Sequence, residues 1–335
     1  MSSSVPRAAP RLLFIAALAA LSAPSSAGAR AAEPVMRPPV ARPSPAPAQD
    51  PATAEGGAGV TVIAAAGGHG AEKPAAGGHG AGQGAHDAAA APAGGPRLCQ
   101  GFGPQTPRDI AVGWGRNTRR FNMAPPSTAM NLCNIHFHTQ AEHKGPGFNI
   151  YAGTGAHGGW QCNATPTLTA AELRDPTDGK GACGGLMPGD TVEVHWVHSS
   201  CDVAPGAGLG SCSNDACVNP QLRVESQVFL VVNDPSAMDF ADFSESPKMI
   251  GGFQQPKALP SSTGEPVEFL GSTTGTSYDN QICSPYQVTW SVRPQCARLD
   301  ISSLHRWCEG NSSREDHAHG VRQLVTAPEL LAPIE

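Results

Sequence analysis

Four stretches of the chain alternate between apolar and polar residues with a period of two, which is the pattern of half-buried β-strands. Their sequences are LCNIHFHT (132–139), TVEVHWVH (191–198), LRVESQVFLVVN (222–233) and YQVTWSVR (286–293). The connecting segments are rich in Gly, Pro, Ser, Asn and Asp, which favour turns and loops. Long amphipathic helices are scarce, although residues 170–174 could start a short helix. The pattern predicts a mainly β fold, in a single domain with long irregular connections.

The N-terminal part of the chain differs from the rest in composition. Residues 1–29 contain two arginines, the apolar run LLFIAALAAL and the small-residue site AGA, as a secretory signal peptide does. Residues 30–97 are mostly Ala, Pro and Gly, and such a segment buries too little apolar surface to offset its ordering entropy. We therefore expect a disordered linker. Its His-Gly repeat indicates either a weak metal-binding arm or, as the preferred interpretation, simple repeat drift. The histidines of this arm are His69, His79 and His86.

The ten cysteines all fall in one part of the chain. Their distribution predicts a folded domain over residues 98–310, followed by a C-terminal tail over 311–335. An even number of cysteines in an exported chain implies disulfide bonds, which here would pin the long loops. The pairing stays open, although Cys212 and Cys217 are close enough for a local bridge. The signal peptide and the cysteines together predict an exported protein, either periplasmic or secreted.

Charge and hydropathy exclude two kinds of partner. The formal net charge is −6 and no block rich in Lys and Arg occurs, so we expect no nucleic-acid partner. The longest apolar run is about ten residues, which is too short to span a bilayer. We therefore expect no integral membrane segment after cleavage of the signal. The oligomeric state is left open by the sequence.

Two of the predicted strands carry histidines in a pattern suited to metal binding. Alternate residues share one face of a strand, so Asn134, His136 and His138 point the same way, with the two imidazoles roughly 6.5 Å apart. Glu193 and His195 share a face of a second strand in the same manner. If these strands are neighbours, three imidazoles meet on one surface. Asn134 and Glu193 would then support them, because a metal-bound histidine commonly donates its second N–H to an amide or a carboxylate.

Three neutral imidazoles leave a fourth coordination position open, which is the arrangement of a catalytic zinc site. The sequence therefore predicts Zn²⁺ as cofactor, with His136, His138 and His195 as ligands. A single H-x-H pair is often no more than a polar strand face. Two histidine-bearing strands, each with a polar residue two positions before a histidine, favour the metal site. Three other histidines of the domain are expected to be mainly structural, with room for one to shuttle protons: His143, His157 and His198.

At these residues the sequence resembles the carbonic anhydrases. The zinc-binding strands of the alpha class read FHFHW and ELHLVHW, and the corresponding segments here read IHFHT and EVHWVHS. The resemblance implies that His136, His138 and His195 hold zinc. It also implies that Asn134 and Glu193 accept hydrogen bonds from these ligands.

Further short matches extend the resemblance to the residues around the metal. The pair Glu142-His143 is similar to the alpha-class segment SEH, and residues 271–274 (GSTT) are similar to GSLT. The resemblance implies that Thr274 is a gatekeeping hydroxyl that passes a hydrogen bond to Glu142, with Thr273 or Thr276 as alternatives.

A third match concerns the wall of the substrate pocket. Residues 288–290 read VTW, as in the alpha class, and the resemblance implies that Trp290 lies at the apolar wall that holds CO2. Val197 shares a face with His195 on its strand and is the second candidate for that wall.

The spacing of the motifs differs from that of the alpha class and is more similar to that of another class of the same enzymes. The gap from His138 to His195 is more than twice that of the alpha class, and the phrases HFHTQAEHKG, SQVFLVVNDP and CSPYQVTWSVRP are similar to the delta class of carbonic anhydrases. The resemblance covers roughly residues 98–310. It implies a zinc-dependent lyase that hydrates CO2 reversibly to bicarbonate and a proton by a zinc-bound hydroxide. It also implies a central, largely antiparallel sheet similar to that of the alpha class.

Two alternatives remain. Residues 136–142 (HFHTQAE) fit the first cupin motif, H-x-H-x(3,4)-E, which would indicate an iron or manganese oxidoreductase. The second cupin motif, P-x-G-x-x-H, is not met, because Pro188 and Gly189 lie at the wrong distance from His195. The other alternative is a non-catalytic, exported metal-binding protein. Zinc as the resident metal favours the anhydrase, whereas copper or a closed four-ligand site favours metal capture.

Overall fold

Nine strands, one α-helix and four short 3₁₀ helices form the regular structure of the residues that the computed structural model describes, which are 98–153, 158–275, 278–321 and 325–334. The predicted signal peptide and linker, including His69, His79 and His86, lie outside these residues, as do His157 and Thr276. The elements are β1 (Asn131–Thr139), β2 (Ile150–Tyr151), β3 (Trp160–Gln161), β4 (Thr191–Ser199), β5 (Leu222–Val232), β6 (Val267–Ser272), β7 (Gln287–Val292), β8 (Ala297–Asp300), α1 (Ile301–Cys308) and β9 (His319–Gly320).

The central sheet has the strand order β6-β7-β5-β4-β1-β9, and β8 pairs with the far end of β5. The long strands β1, β4 and β5 are antiparallel neighbours, as are β6 and β7. The pairs β5–β7, β5–β8 and β1–β9 are parallel, so the sheet is mixed. The predicted mainly β, single-domain fold is confirmed. All four predicted strands are present, and their ends agree with the prediction to within one residue.

Both faces of the sheet are covered, which explains why every residue of β4 is buried. One face packs β1, β4 and β5 against α1 through large apolar side chains, among them Phe137, Trp196 and Phe229. The indole N–H of Trp196 donates a hydrogen bond to the carbonyl of Phe243 at 2.8 Å. The other face mixes apolar residues such as Val197 with the histidines of the predicted site.

The helix lies where the sequence analysis did not expect one. Asp300 begins α1 by accepting a hydrogen bond from the backbone N–H of Ser303 at 3.1 Å, which is an N-cap contact. Residues 170–174 form turns, so the expected helix start there is wrong. Thr169 and Glu172 do form a reciprocal capping pair, with Glu172 accepting from the backbone of Thr169 at 2.7 Å. Pro176 disfavours the helical conformation of the residue before it, which prevents extension.

Five disulfide bonds link distant parts of the chain, and they include all ten cysteines. The local bridge between Cys212 and Cys217 is not formed. Cys212 instead joins Cys133 of β1, because a bulge after Leu132 and a hydrogen bond from Ser211 Oγ to the Cys133 carbonyl at 2.6 Å bring the two segments together. The pairs are Cys99–Cys283, Cys133–Cys212, Cys162–Cys296, Cys183–Cys308 and Cys201–Cys217.

The segment expected as a C-terminal tail contributes to the sheet. Its strand β9 pairs with the end of β1 that carries His138. Ser313 Oγ accepts a hydrogen bond from the backbone N–H of Ile135 at 2.8 Å, and Leu331 bridges to Gln105. Across the described ranges, no helix combines the length and the apolar character that a membrane crossing requires.

Candidate metal centre

Three histidines converge where β1 and β4 pair. His136 lies opposite His195 in the antiparallel register, and His138 follows two residues later on the same face of β1. His136 Nε2 and His195 Nδ1 are 3.2 Å apart, and the ligand atoms of the three side chains all lie within 4.8 Å of one another. His138 Nε2 is buried and has no hydrogen-bond partner. One nitrogen of each imidazole therefore faces a common point.

The second nitrogen of each ring meets a hydrogen-bond acceptor. Asn134 Oδ1 lies 2.6 Å from His136 Nδ1, and Glu193 Oε1 lies 3.0 Å from His195 Nε2. The carbonyl oxygen of Gly320 in β9 lies 3.4 Å from His138 Nδ1. Since these acceptors bind N–H groups, the network assigns the ring protons to the outer nitrogens. The inward nitrogens are then free to donate lone pairs, so these residues fit a metal ion.

Glu193 connects this cluster to two other parts of the chain. Its Oε2 accepts hydrogen bonds from the backbone N–H groups of Glu142 at 2.7 Å and His143 at 3.0 Å. Its Oε1 accepts from His143 Nδ1 and from Ser226 Oγ, both at 2.6 Å, as well as from His195. Burial alone would raise the pKa of Glu193, but the charge and hydrogen bonds of His143 and His195 hold it well below its usual range. The carboxylate is fully buried and stays ionised.

A second group of possible ligands, formed by His143, Glu193 and His195, overlaps the first. The oxygens of Glu193 already accept five hydrogen bonds, so a metal ion there would have to replace several of them. His143 packs its ring edge against Trp290 with the centroids 5.0 Å apart. We therefore interpret this second group as the support of His195. The sequence pattern did not indicate that Ser226 or His143 would form hydrogen bonds with Glu193.

Thr274 and Glu142 are in contact beside the histidines. Thr274 Oγ1 donates to Glu142 Oε2 at 3.2 Å, and Glu142 Oε1 lies 3.6 Å from His138 Nδ1. Burial would raise the pKa of Glu142, but the positive charges that His138 and His195 can carry lower it below its usual value. Thr273 bonds Ser284 Oγ at 2.7 Å and so points elsewhere. Of the two candidate threonines that the structure describes, Thr274 is the one that contacts Glu142.

The two residues expected at the substrate wall lie on the same face of the sheet as the histidines. Trp290 sets its ring edge-on to His195 with the centroids 5.1 Å apart, and its indole N–H donates to the carbonyl of Ser272 at 3.1 Å. Val197 is buried in the same apolar cluster. Both side chains therefore pack beside the candidate site.

Two further histidines, which the sequence analysis did not select, lie at the edge of the cluster. His319 of β9 places its ring centroid 5.8 Å from that of His136 and 5.7 Å from that of His138. Its Nε2 lies 2.9 Å from Glu315 Oε2. His317 is exposed, and its ring is 5.5 Å from that of His319. The available signal was a second H-x-H pattern, residues 317–319, within the segment expected as a tail.

The convergence of three buried or half-buried imidazoles on paired strands defines a candidate metal enzyme built on a β-sheet. The family model described as Delta carbonic anhydrase matches residues 127–303, which is more than half of the chain. The chain therefore belongs to the delta carbonic anhydrase family. No curated protein and no solved structure matches it. Family membership indicates a lyase that hydrates CO2, and so a small-molecule substrate.

The geometry also bears on the cupin alternative. A cupin would use the carboxylate of Glu142 as a ligand together with His136 and His138. Here Glu142 lies on the Nδ1 side of His138, away from the buried Nε2, and it accepts a hydrogen bond from the Thr274 hydroxyl. The cluster of possible ligands contains the three histidines and not Glu142. The structure and the family match therefore both disfavour a cupin site.

Proposed function

We propose that the protein catalyses the reversible hydration of CO2 with a zinc ion held by His136, His138 and His195. The observation that carries this proposal is the hydrogen-bond acceptor on the outer nitrogen of each of the three rings. Such acceptors orient a ligand histidine and raise its basicity. Three imidazoles without a fourth protein ligand match the coordination of catalytic zinc, for which carbonic anhydrase is itself the standard example.

The ligands must be neutral to bind a metal. Burial lowers the pKa of His138 to about 4, and the neighbouring histidines add to this effect. Burial and the same neighbours lower the pKa of His136 well below its usual range. Both rings are therefore neutral at neutral pH, which supports their assignment as ligands. A zinc ion held by these three residues would lower the pKa of water to about 7, the value general to carbonic anhydrases, and so would supply a nucleophile near neutral pH.

Thr274 and Glu142 orient that nucleophile. The Thr274 hydroxyl donates its proton in a hydrogen bond to the Glu142 carboxylate. With its own proton committed, Thr274 Oγ1 can only accept a hydrogen bond from the attacking oxygen. This leaves a lone pair of the attacking oxygen free to face the carbon of CO2. Val197 and Trp290 supply the apolar wall against which CO2 rests.

The compartment belongs to the same proposal. Five disulfide bonds are compatible with export, because they persist in oxidising compartments such as the periplasm or the medium. We infer that residues 1–29 are a signal peptide and that residues 30–97 link it to the catalytic domain.

The test is stopped-flow CO2 hydration by the mature chain, produced in an oxidising compartment, before and after zinc is removed and restored. We expect activity to follow the zinc content and to vanish, together with zinc binding, in His195→Ala. We expect Thr274→Ala to lower kcat/KM by about 100-fold with its zinc content unchanged, since the nucleophile loses its orientation. Thr273→Ala is the matched control and should keep full activity, because Thr273 bonds Ser284.

Two results would contradict the proposal. A folded, zinc-loaded protein without CO2 hydration would remove the activity, and full activity in His195→Ala would remove the ligand assignment. Equal losses in Thr273→Ala and Thr274→Ala would remove the assigned role of Thr274.

A further inference from the structure

A basic and apolar segment runs across the surface between the first described residues and β1. We call residues 112–123 (VGWGRNTRRFNM) the arginine strap. It contains three arginines, and no acidic residue occurs anywhere in residues 110–141. This is a local excess of positive charge in a chain whose formal net charge is −6. The strap has no regular secondary structure.

Apolar side chains of the strap are exposed together with its arginines. Trp114 is 65% exposed, Phe121 48% and Met123 46%. Six consecutive residues, 118–123, are exposed. Arg119 and Arg120 have no carboxylate within 4.0 Å in the part of the chain that the structure describes. Both the apolar groups and the two cations are thus available to a partner.

The backbone of the strap is held by hydrogen bonds at both ends of residues 116–124, which contain its second part. The backbone N–H of Arg116 donates to Pro328 at 2.7 Å, and that of Asn117 donates to Leu331 at 3.0 Å. At the other end, the backbone N–H of Ala124 donates to Thr289 Oγ1 at 2.8 Å. Gly115 approaches the Ala332 carbonyl so closely that a Cβ atom there would lie 1.8 Å from the oxygen. These contacts hold the backbone in place while Trp114 remains outside the core.

We propose that the arginine strap docks the protein on an anionic lipid surface. Tryptophan and phenylalanine favour the interface between lipid headgroups and acyl chains, and arginines beside them bind lipid phosphates. An acidic polymer would engage Arg119 and Arg120 but would give no role to Phe121 and Met123. The apolar groups therefore favour lipid over a soluble polyanion. This proposal does not depend on the metal centre.

The test is co-sedimentation of the full mature chain with vesicles of phosphatidylcholine, with and without about one third phosphatidylglycerol. We expect binding to the anionic vesicles only, and weaker binding at 0.5 M salt than at 0.05 M, because salt screens the arginines. The double variant Arg119→Gln/Arg120→Gln should bind about 30-fold more weakly, as two basic residues near an anionic surface contribute roughly 5-fold each. The variant Trp114→Ala/Phe121→Ala should also bind more weakly.

The control is Arg174→Gln/Lys180→Gln, which removes two exposed positive charges outside the strap and should bind as the parent does. Equal binding of the parent and of Arg119→Gln/Arg120→Gln to anionic vesicles would overturn the proposal, as would no binding of the parent. Soluble polyphosphate serves as the second probe. If it binds as tightly as the vesicles and Trp114→Ala/Phe121→Ala has no effect, the partner is a polyanion and not a lipid surface. CO2 hydration by the strap variants is measured in parallel, so that a loss of lipid binding can be distinguished from a loss of the proposed catalytic activity.

Discussion

Replacing Glu193 by glutamine tests the site most directly, because it removes one charge and changes almost no volume. The carboxylate accepts five hydrogen bonds and donates none. A glutamine must turn its NH2 group either toward the backbone N–H groups of Glu142 and His143 or toward the side chains of His195 and Ser226. In either orientation, the buried NH2 group of the glutamine faces other hydrogen-bond donors.

The two orientations have different costs. If the NH2 group faces the backbone, two hydrogen bonds to a charged group are lost, and the free energy of unfolding falls by about 3–6 kcal/mol. If it faces His195, that ring keeps a partner only by moving its proton to Nδ1, which is the nitrogen 3.2 Å from His136 Nε2. His195 could then no longer donate a lone pair to a metal. Zinc retention would fall by about 10–100-fold, the usual effect of losing such a partner.

We therefore expect Glu193→Gln to lose stability, zinc affinity or both. The first is measured by guanidinium unfolding of the metal-free protein, and the second by competition with a chelator. Glu225→Gln is the matched control, since Glu225 lies on the neighbouring strand β5, opposite Trp196, and pairs with Arg223 rather than with any of the three candidate ligands. It should retain zinc as the parent does. The reasoning is refuted if Glu193→Gln changes neither the unfolding free energy nor the zinc dissociation constant.

Two further predictions concern the fold. Burial lowers the pKa of His198 to about 4, so below pH 6.5 the unfolded chain binds a proton that the folded chain does not. The free energy of unfolding therefore falls by up to about 3 kcal/mol as the pH drops from 6.5 to 4. Measured by urea unfolding, the free energy of unfolding of His198→Asn should fall less than that of the parent over this range. Parallel curves of unfolding free energy against pH for the two proteins would contradict this prediction. Removing the bridge Cys133–Cys212, with a separation of 79 residues, should lower the free energy of unfolding by about 4.5 kcal/mol, against about 3 kcal/mol for Cys201–Cys217, with a separation of 16. A reversed order in guanidinium unfolding would show that loop entropy does not set the difference.

Features that depend on neighbouring residues were predictable from the sequence. The strands β1, β4, β5 and β7 follow from period-two alternation, which fixes the face of each side chain. That same rule put His136 and His138 on one side of β1 and Glu193 beside His195 on β4. The helix α1 was missed because its eight residues span too few turns to display a period and follow β8 directly.

Features that depend on distant residues were not predictable. The outer nitrogen of His138 finds its acceptor in Gly320, 182 residues later, on a two-residue strand that has no pattern of its own. Ser226 reaches Glu193 only because β5 pairs with β4 in one particular register. The cysteine pairing likewise depends on the folded arrangement, and five bridges among ten cysteines leave many combinations open from sequence alone.

The long insertion between the two histidine-bearing strands is compatible with a well-ordered site for a physical reason. The distance between His136 and His195 is set by the antiparallel register of β1 and β4, and the length of the connection between these strands does not affect it. Longer connections cost little free energy, since closure entropy grows only with the logarithm of loop length. The insertion is in addition anchored to the second half of the domain through Cys162–Cys296 and Cys183–Cys308. The sheet register therefore fixes the candidate metal site, and the disulfides restrain the loops that surround it.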